Sequence, residues 1–261
     1  MKQIIRFING LFLITRVNNL IILFFTQYFT AIFLFNRAER SIRLSEDTGL
    51  LLVAIGTVLI AAAGYLINDY HDVKIDAVNR PHKILVGKLI QRRHILIIYG
   101  IFNFIALVTG YFVSYRILAL HFFSIFSLWI YSSYLKKTAF WGNLLIAVLT
   151  GLSVFIVAVY YNDNFKLVGL YASLAFFVSL IREIVKDIED MRGDQQFGGK
   201  TLPIKYGQRG AKLFVYVISA IFMASMYYFG DEISLWSFSV VSYILILETI
   251  LLNYFLFWAD I

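Results

Sequence analysis

Apolar residues run in long blocks along this chain, near 18–36, 49–67, 95–114, 117–135, 140–161, 166–186, 211–229 and 234–258. Each is close to the ~20 residues that carry an α-helix across a bilayer. Stretches such as Ile95–Val113 and Leu167–Ile181 are apolar on nearly every face, whereas barrel strands alternate apolar and polar positions. The pattern predicts an all-α fold, a polytopic transmembrane helical bundle of eight spans. Most separating segments are short, but two polar ones, 68–94 and 187–210, are long. No linker divides the chain, so 1–261 reads as one domain. The first sixteen residues, MKQIIRFINGLFLITR, are basic and then apolar without a small-residue cleavage site, the pattern of a retained interfacial helix.

Composition agrees with lipid as the solvent: 60% of the 261 residues are hydrophobic and 15% charged, with mean hydropathy +0.77, far from soluble domains. Cysteine is absent, which excludes disulfides and thiolate metal sites. With the N-terminus inside, the inner segments hold 18 of the 23 Lys and Arg. By the positive-inside rule both long polar loops are then cytoplasmic. Topology accounts for the net charge of +7, and the basic residues gather on no single soluble face, so nucleic acid is not expected as a partner.

The acids are distributed differently. Of 16 Asp and Glu, eight fall in two short stretches at the ends of spans two and six: Asp69, Asp72 and Asp76, then Glu183, Asp187, Glu189, Asp190 and Asp194. Asp69, Asp72 and Asp76 are spaced i, i+3, i+7, and Asp187, Asp190 and Asp194 repeat that spacing, which puts each trio on one helix face. Like charges so close repel unless a cation lies among them. Hard oxygen donors without His or Cys favour Mg2+, which takes few carboxylates and shares the rest of its shell with water and phosphate. Nearby Arg80, Lys83, Lys136, Lys186, Arg192 and Lys200 are suited to the remaining charge of a diphosphate. No Walker A or Gly-x-Gly-x-x-Gly turn occurs, so a nucleotide is not indicated. One such segment alone would read as a solvated connection. Two with matched spacing, each directly after a span, argue for a shared site.

These residues resemble the UbiA superfamily of intramembrane prenyltransferases. Its first signature, N-D/Q-x-x-D-x-x-x-D followed by N-R-P-x-R/K, is met by Asn68, Asp69, Asp72, Asp76, Asn79, Arg80, Pro81 and Lys83. Its second, D-x-x-D-x-x-x-D followed by G-x-K-T/S, is met by Asp187, Asp190, Asp194, Gly198, Lys200 and Thr201. Arg16-Val17-Asn18 looks like the family's R-P-x-N entry, and Tyr131 with Lys136 resembles its Y-x-x-x-K motif. Strict spacing from Tyr131 would put lysine at Leu135, so either Lys136 takes that role or the helix register differs. The family usually has nine spans, one more than the hydropathy pattern reveals.

The resemblance implies a fold with two facing Asp-rich cytoplasmic loops holding two Mg2+ ions on the diphosphate of a polyprenyl donor. Asn68, Asp72 and Asp76 would serve one ion and Asp187, Asp190 and Asp194 the other. It implies catalytic roles for Asp69, Asp72, Asp190 and Lys136. Substrate contacts would come from Arg16, Asn18, Arg80, Lys83, Tyr131, Lys136 and Lys200. Glu183, one turn before Asp187, is placed to reach the same site, and Arg80 and Arg182 have a plainer alternative as snorkelling residues. The expected partners are the donor, a lipid-soluble acceptor and membrane lipids, in a multi-pass protein of the cell membrane whose active site faces the cytoplasm. The string around Asp187–Thr201 looks most like the branch that adds geranylgeranyl to geranylgeranylglyceryl phosphate. Prenylation of an aromatic acceptor, as in quinone, chlorophyll or tocopherol biosynthesis, is the alternative. A cation or phosphate transporter would need acids near mid-membrane, and Glu248 is the only acid deep in a predicted span.

Overall fold

The computed structural model describes residues 2–35, 46–87 and 89–232, and beyond them residues 247, 249–251, 253, 256 and 257. Among the described residues eight long helices follow one another: α1 (Lys2–Ile14), α2 (Val17–Phe35), α3 (Thr48–Asn79), α4 (Arg92–Val113), α5 (Tyr115–Ser133), α6 (Trp141–Tyr161), α7 (Phe165–Gln196) and α8 (Leu202–Glu232), the last kinked at Gly207. Among the described residues, α2 to α8 contain seven segments long and apolar enough to cross a membrane. They match the first seven predicted spans. The eighth, 234–258, falls largely outside the described residues, as does Glu248. Large apolar side chains such as Phe33, Phe104, Phe112 and Phe122 point outward, each more than 60% exposed, as a lipid-facing surface requires. The protein is a multi-pass membrane protein.

The ends of the helices follow local chemistry. Asp47 caps α3 by accepting from Leu50 N (2.9 Å), and it also accepts from Tyr160 Oη (2.6 Å) and Tyr161 Oη (2.8 Å) on α6. One carboxylate thus satisfies a helix start and ties α3 to α6. At its other end α3 runs on through the Asp-rich segment and stops at Asn79, because Pro81 disfavours helical geometry at Arg80 (φ −144°, ψ 60°). Likewise α7 continues to Gln196, and Gly198, with φ +76°, supplies the left-handed turn that ends it. The acidic trios therefore lie on the last turns of two helices, and the connecting loops begin only after them. At 32 residues each, α3 and α7 are about 48 Å long, well beyond a hydrocarbon core of about 30 Å. Their acidic ends project from the apolar layer.

α3 is the central helix, touching α2, α4, α5, α6 and α7, while α7 packs on α3, α6 and α8. Close crossings use small residues: a Cβ at Gly151 on α6 would sit 2.9 Å from Ala172 O on α7. Buried Val53, Ile117, Val157 and Val168 form the core at the end of the bundle remote from the acids. Ile14, Leu66, Val86, Ile90 and Ile95 form a second core under α1.

Candidate functional site

α3 and α7 bring the two acidic trios to one end of the bundle, and a single amide locks them together. Asn79 donates through Nδ2 to Asp190 O (2.9 Å), and its Oδ1 accepts from Gly193 N (2.8 Å). Gly193 is needed for that approach, since a Cβ there would lie 2.5 Å from Asn79 Nδ2. Arg80 crosses the same gap and donates to Asp190 Oδ1 (2.9 Å), with Glu189 3.7 Å away.

Lys136 is placed by a break in helical spacing. α5 ends at Ser133 and the chain turns through a 3₁₀ segment, Leu135–Lys137. Gly142 lets α6 begin hard against this turn, for a Cβ there would lie 2.7 Å from Leu135 O. The turn carries the Lys136 ammonium onto the Asp72 carboxylate and to 3.3 Å from Asn68 Oδ1. Asp72 is 3% exposed, so its charge is balanced inside the protein. A 3₁₀ turn rotates side chains by a different angle from an α-turn, which is how Lys136, and not position 135, reaches the acids.

Between α2, α3, α5, α6 and α7 opens a cavity of about 1120 Å3. Of the residues singled out in the sequence, Arg16, Asn68, Asp72, Asp76, Arg80, Tyr131, Lys136, Arg182, Glu183, Lys186, Glu189 and Asp190 line it. Tyr131 is buried beside the acids. Asp69 is set back from this lining, with its Oδ1 accepting from Arg16 Nη2 (3.2 Å). Asp187 is likewise tied, its Oδ2 accepting from Asn143 Nδ2 (2.9 Å), and Asp194 is buried at the foot of the turn after α7, where Gly199 N donates to its carbonyl (2.7 Å). Lys200 has an exposed side chain, and its N–H donates to Lys137 O (2.8 Å), joining the two turns. The side chain of Lys83 lies outside the described ones. Asn18 is exposed and does not line the cavity, while its neighbour Asn19 does, donating to Tyr65 Oη (3.4 Å). The reason is rotational. Arg16, at φ +53°, resets the phase of α2, and adjacent helical residues differ by about 100°.

Asn143 and Tyr65 also belong to the site, beyond the residues that the motifs mark. Asn143 was discoverable as a lone amide in the first turn of an otherwise apolar span. Tyr65 carries no such signal: its ring lies under the Arg16 guanidinium at 4.6 Å, a pairing made only by the approach of α2 to α3.

Among the described residues, no three Asp, Glu or His side chains form a ready-made metal cage. The oxygens instead face inward and are partly engaged by Lys136 and Arg80.

A match to the model of the UbiA prenyltransferase family runs over residues 20–260. The chain belongs to the UbiA family. It is 40% identical over 165 residues to a digeranylgeranylglyceryl phosphate synthase of Saccharolobus solfataricus, a match covering 62% of this chain but only 58% of that relative's length. In architecture it is similar to a solved structure of a digeranylgeranylglyceryl phosphate synthase, with TM-score 0.72 and 24% identity over 97% of this chain and 88% of that one. A UbiA homologue from Archaeoglobus fulgidus bound to GPP and Mg2+ superimposes with TM-score 0.68 and 17% identity, covering 94% of this chain and 86% of that one. At such identities these structures speak for the shared UbiA fold.

Proposed function

We propose that this UbiA-family chain is a membrane prenyltransferase, carrying a geranylgeranyl group from its diphosphate to the free hydroxyl of geranylgeranylglyceryl phosphate. The observation that carries the reading is the placement of two acidic helix ends, locked by Asn79, at one end of a cavity large enough for a lipid chain. The name shared by the Saccharolobus relative supports the acceptor. The site faces the cytoplasm, on the strength of the 18 basic residues in inner segments.

The donor set suits Mg2+. Its oxygens are hard, and Asn68 Oδ1 and the Asp72 carboxylate already draw the one ammonium beside them, so a cation is favoured at that point. Because Mg2+ needs only one or two carboxylates when phosphate and water complete its shell, a full protein cage is unnecessary. Asn68, Asp72 and Asp76 would hold one ion, and Asp187, Asp190 and Asp194 a second. When bound, the metal neutralises the charge that gathers on the leaving diphosphate.

The chain's own residues account for the rest. Lys136, Arg80 and Arg16, all on the cavity lining, bind the diphosphate oxygens and hold C1 of the donor at the acidic end. Asp69 orients Arg16 through their 3.2 Å contact. The allylic C–O bond breaks, its electron pair leaves with the diphosphate, and the acceptor oxygen forms the new C–O bond while its proton passes to a site carboxylate or the departing diphosphate. Burial keeps water from the electron-poor carbon until the acceptor attacks.

The reading is tested with purified protein, the two substrates and Mg2+. Asp72→Ala and Asp190→Ala are each expected to lower diphosphate release at least ~100-fold, and chelation with EDTA to stop it. Undiminished turnover in both variants would sink the assignment, and a C-alkylated aromatic product would move the acceptor to the other class.

A further inference from the structure

One face of α7 changes character along the cavity. Ala175, Val178, Arg182, Lys186 and Glu189 all line it, spaced i, i+3, i+7, i+11 and i+14, which puts them in one stripe. The stripe passes from apolar to cationic toward the acidic end of the bundle. At about 1.5 Å per residue, Lys186 stands about 6 Å and Arg182 about 12 Å below Asp190. At about 100° per residue the two are turned about 40–80° from Asp190, on the side away from Asp187. The basic pair therefore flanks the acidic trio and does not lie within it.

Arg182 and Lys186 differ from the other cations of the cavity. Arg16, Arg80 and Lys136 each bear on an acid of the two trios, Asp69, Asp190 and Asp72, and so gather where the donor diphosphate is held. Lys186 makes no ion pair among the described residues. Arg182 donates from Nη2 to Glu183 Oε1 (2.6 Å), with the glutamate side chain 8% exposed and its own 65%. A snorkelling arginine carries its charge out to water, whereas this one rests on a carboxylate of the cavity lining. The buried carboxylate fixes one edge of the guanidinium, and its other N–H donors stay open to a ligand. Glu183 offsets one of the two charges, so the pair remains net positive. Glu189, the last residue of the stripe, lies 3.7 Å from Arg80.

The acceptor proposed above brings a second anion into the cavity, a phosphate monoester of about −1.5 to −2 charge at neutral pH, joined through glycerol to a hydrocarbon chain. The stripe matches that molecule in order, cations above and apolar side chains below. We infer that Arg182 and Lys186 form a phosphate site of the acceptor's own, separate from the cations that hold the donor diphosphate, and that this pair selects an acceptor carrying a phosphate monoester. The inference rests on the prenyltransferase reading and deepens it. With the phosphate on the pair, the acceptor chain runs along Val178 and Ala175. Its free hydroxyl, a few bonds away on the same glycerol, turns toward the acidic stripe, where C1 of the donor is held. Like charges one helical turn apart repel, so a bound dianion also relieves the pair.

The test compares two acceptors that differ only in the phosphate. Initial rates of the whole protein, with Mg2+ and geranylgeranyl diphosphate, would be measured on geranylgeranylglyceryl phosphate and on geranylgeranylglycerol. A neutral detergent keeps anionic lipid headgroups from competing for the pair. The native protein is expected to prefer the phosphorylated acceptor about 100-fold in kcat/KM, the worth of two hydrogen bonds between charged groups. In Arg182→Gln and in Lys186→Gln that preference falls to about tenfold or less, through a higher KM for the phosphorylated acceptor, while the KM for the donor moves by less than about threefold. Arg182→Lys, which keeps the charge, retains a preference between the two. Lys186→Gln breaks no ion pair among the described residues, so it decides the matter if Arg182→Gln does not fold. Equal losses on both acceptors, an unchanged preference in the folded variants, a donor KM that rises as much as the acceptor's, or a native protein that uses both acceptors equally overturns the inference and leaves the prenyltransferase reading intact. If the native protein prenylates neither acceptor, the proposed acceptor falls, and this inference with it.

Discussion

Lys136 is the residue whose removal separates charge balance from catalysis. Its ammonium sits on the Asp72 carboxylate, which is almost wholly buried, so Lys136→Met leaves that carboxylate without its native counter-charge. In the proposed reaction the same lysine also loses its grip on the donor diphosphate. The expected result is a fall in kcat of about 100-fold, with a stronger requirement for Mg2+, since the metal becomes the main cation at Asp72. Titrating diphosphate release against Mg2+ checks both parts. A variant with native kcat and native Mg2+ dependence would remove Lys136 from the site.

At the scale of elements, the junction of α3 with α7 depends on Asn79 and Gly193 acting as a pair. Gly193→Ala drives a methyl into the Asn79 amide, and Asn79→Ala deletes both cross-helix hydrogen bonds. Each change is expected to cost about 1–3 kcal/mol. Because each disrupts the same contact, the double variant should cost clearly less than the sum of the two. Thermal unfolding in detergent, run as a double-mutant cycle, measures the shortfall. Strict additivity would mean that the two residues stabilise the helix ends independently. The helices themselves follow from local rules, with Pro81 stopping α3 and Gly198 stopping α7.

For the whole molecule the charge asymmetry makes a directional prediction. The absence of cysteine makes a single introduced thiol a clean reporter. Lys74→Cys, at the acidic end of α3, is expected to react with an impermeant maleimide only in inside-out vesicles. Arg116→Cys, at the start of α5, is expected to react only from outside. Reversed labelling at both positions would place the site on the outer face. Arg116 and the Asp47 clamp lie at the end of the bundle opposite the acids, so the two reporters sample both surfaces.

The repeated apolar blocks determined the helical bundle, because in lipid each backbone group must be satisfied within its own helix. The paired i, i+3, i+7 spacing determined which acids share a face, because that is a property of one helix alone. The segments 68–79 and 187–196 read as loops on polarity, yet their side chains keep helical phase, and neither segment holds a Pro or Gly except Gly193, which the contact with Asn79 requires. What only the tertiary structure decided were contacts between residues distant in the chain. Lys136 meets Asp72 through a 3₁₀ turn, Asn143 reaches Asp187 from another helix, and Asn19 replaces Asn18 on the cavity wall. His121 belongs with these. In the sequence it is one polar residue in an apolar span, and its buried place on the cavity lining arises because Gly56 and Gly110 leave room for a ring only once three helices have packed.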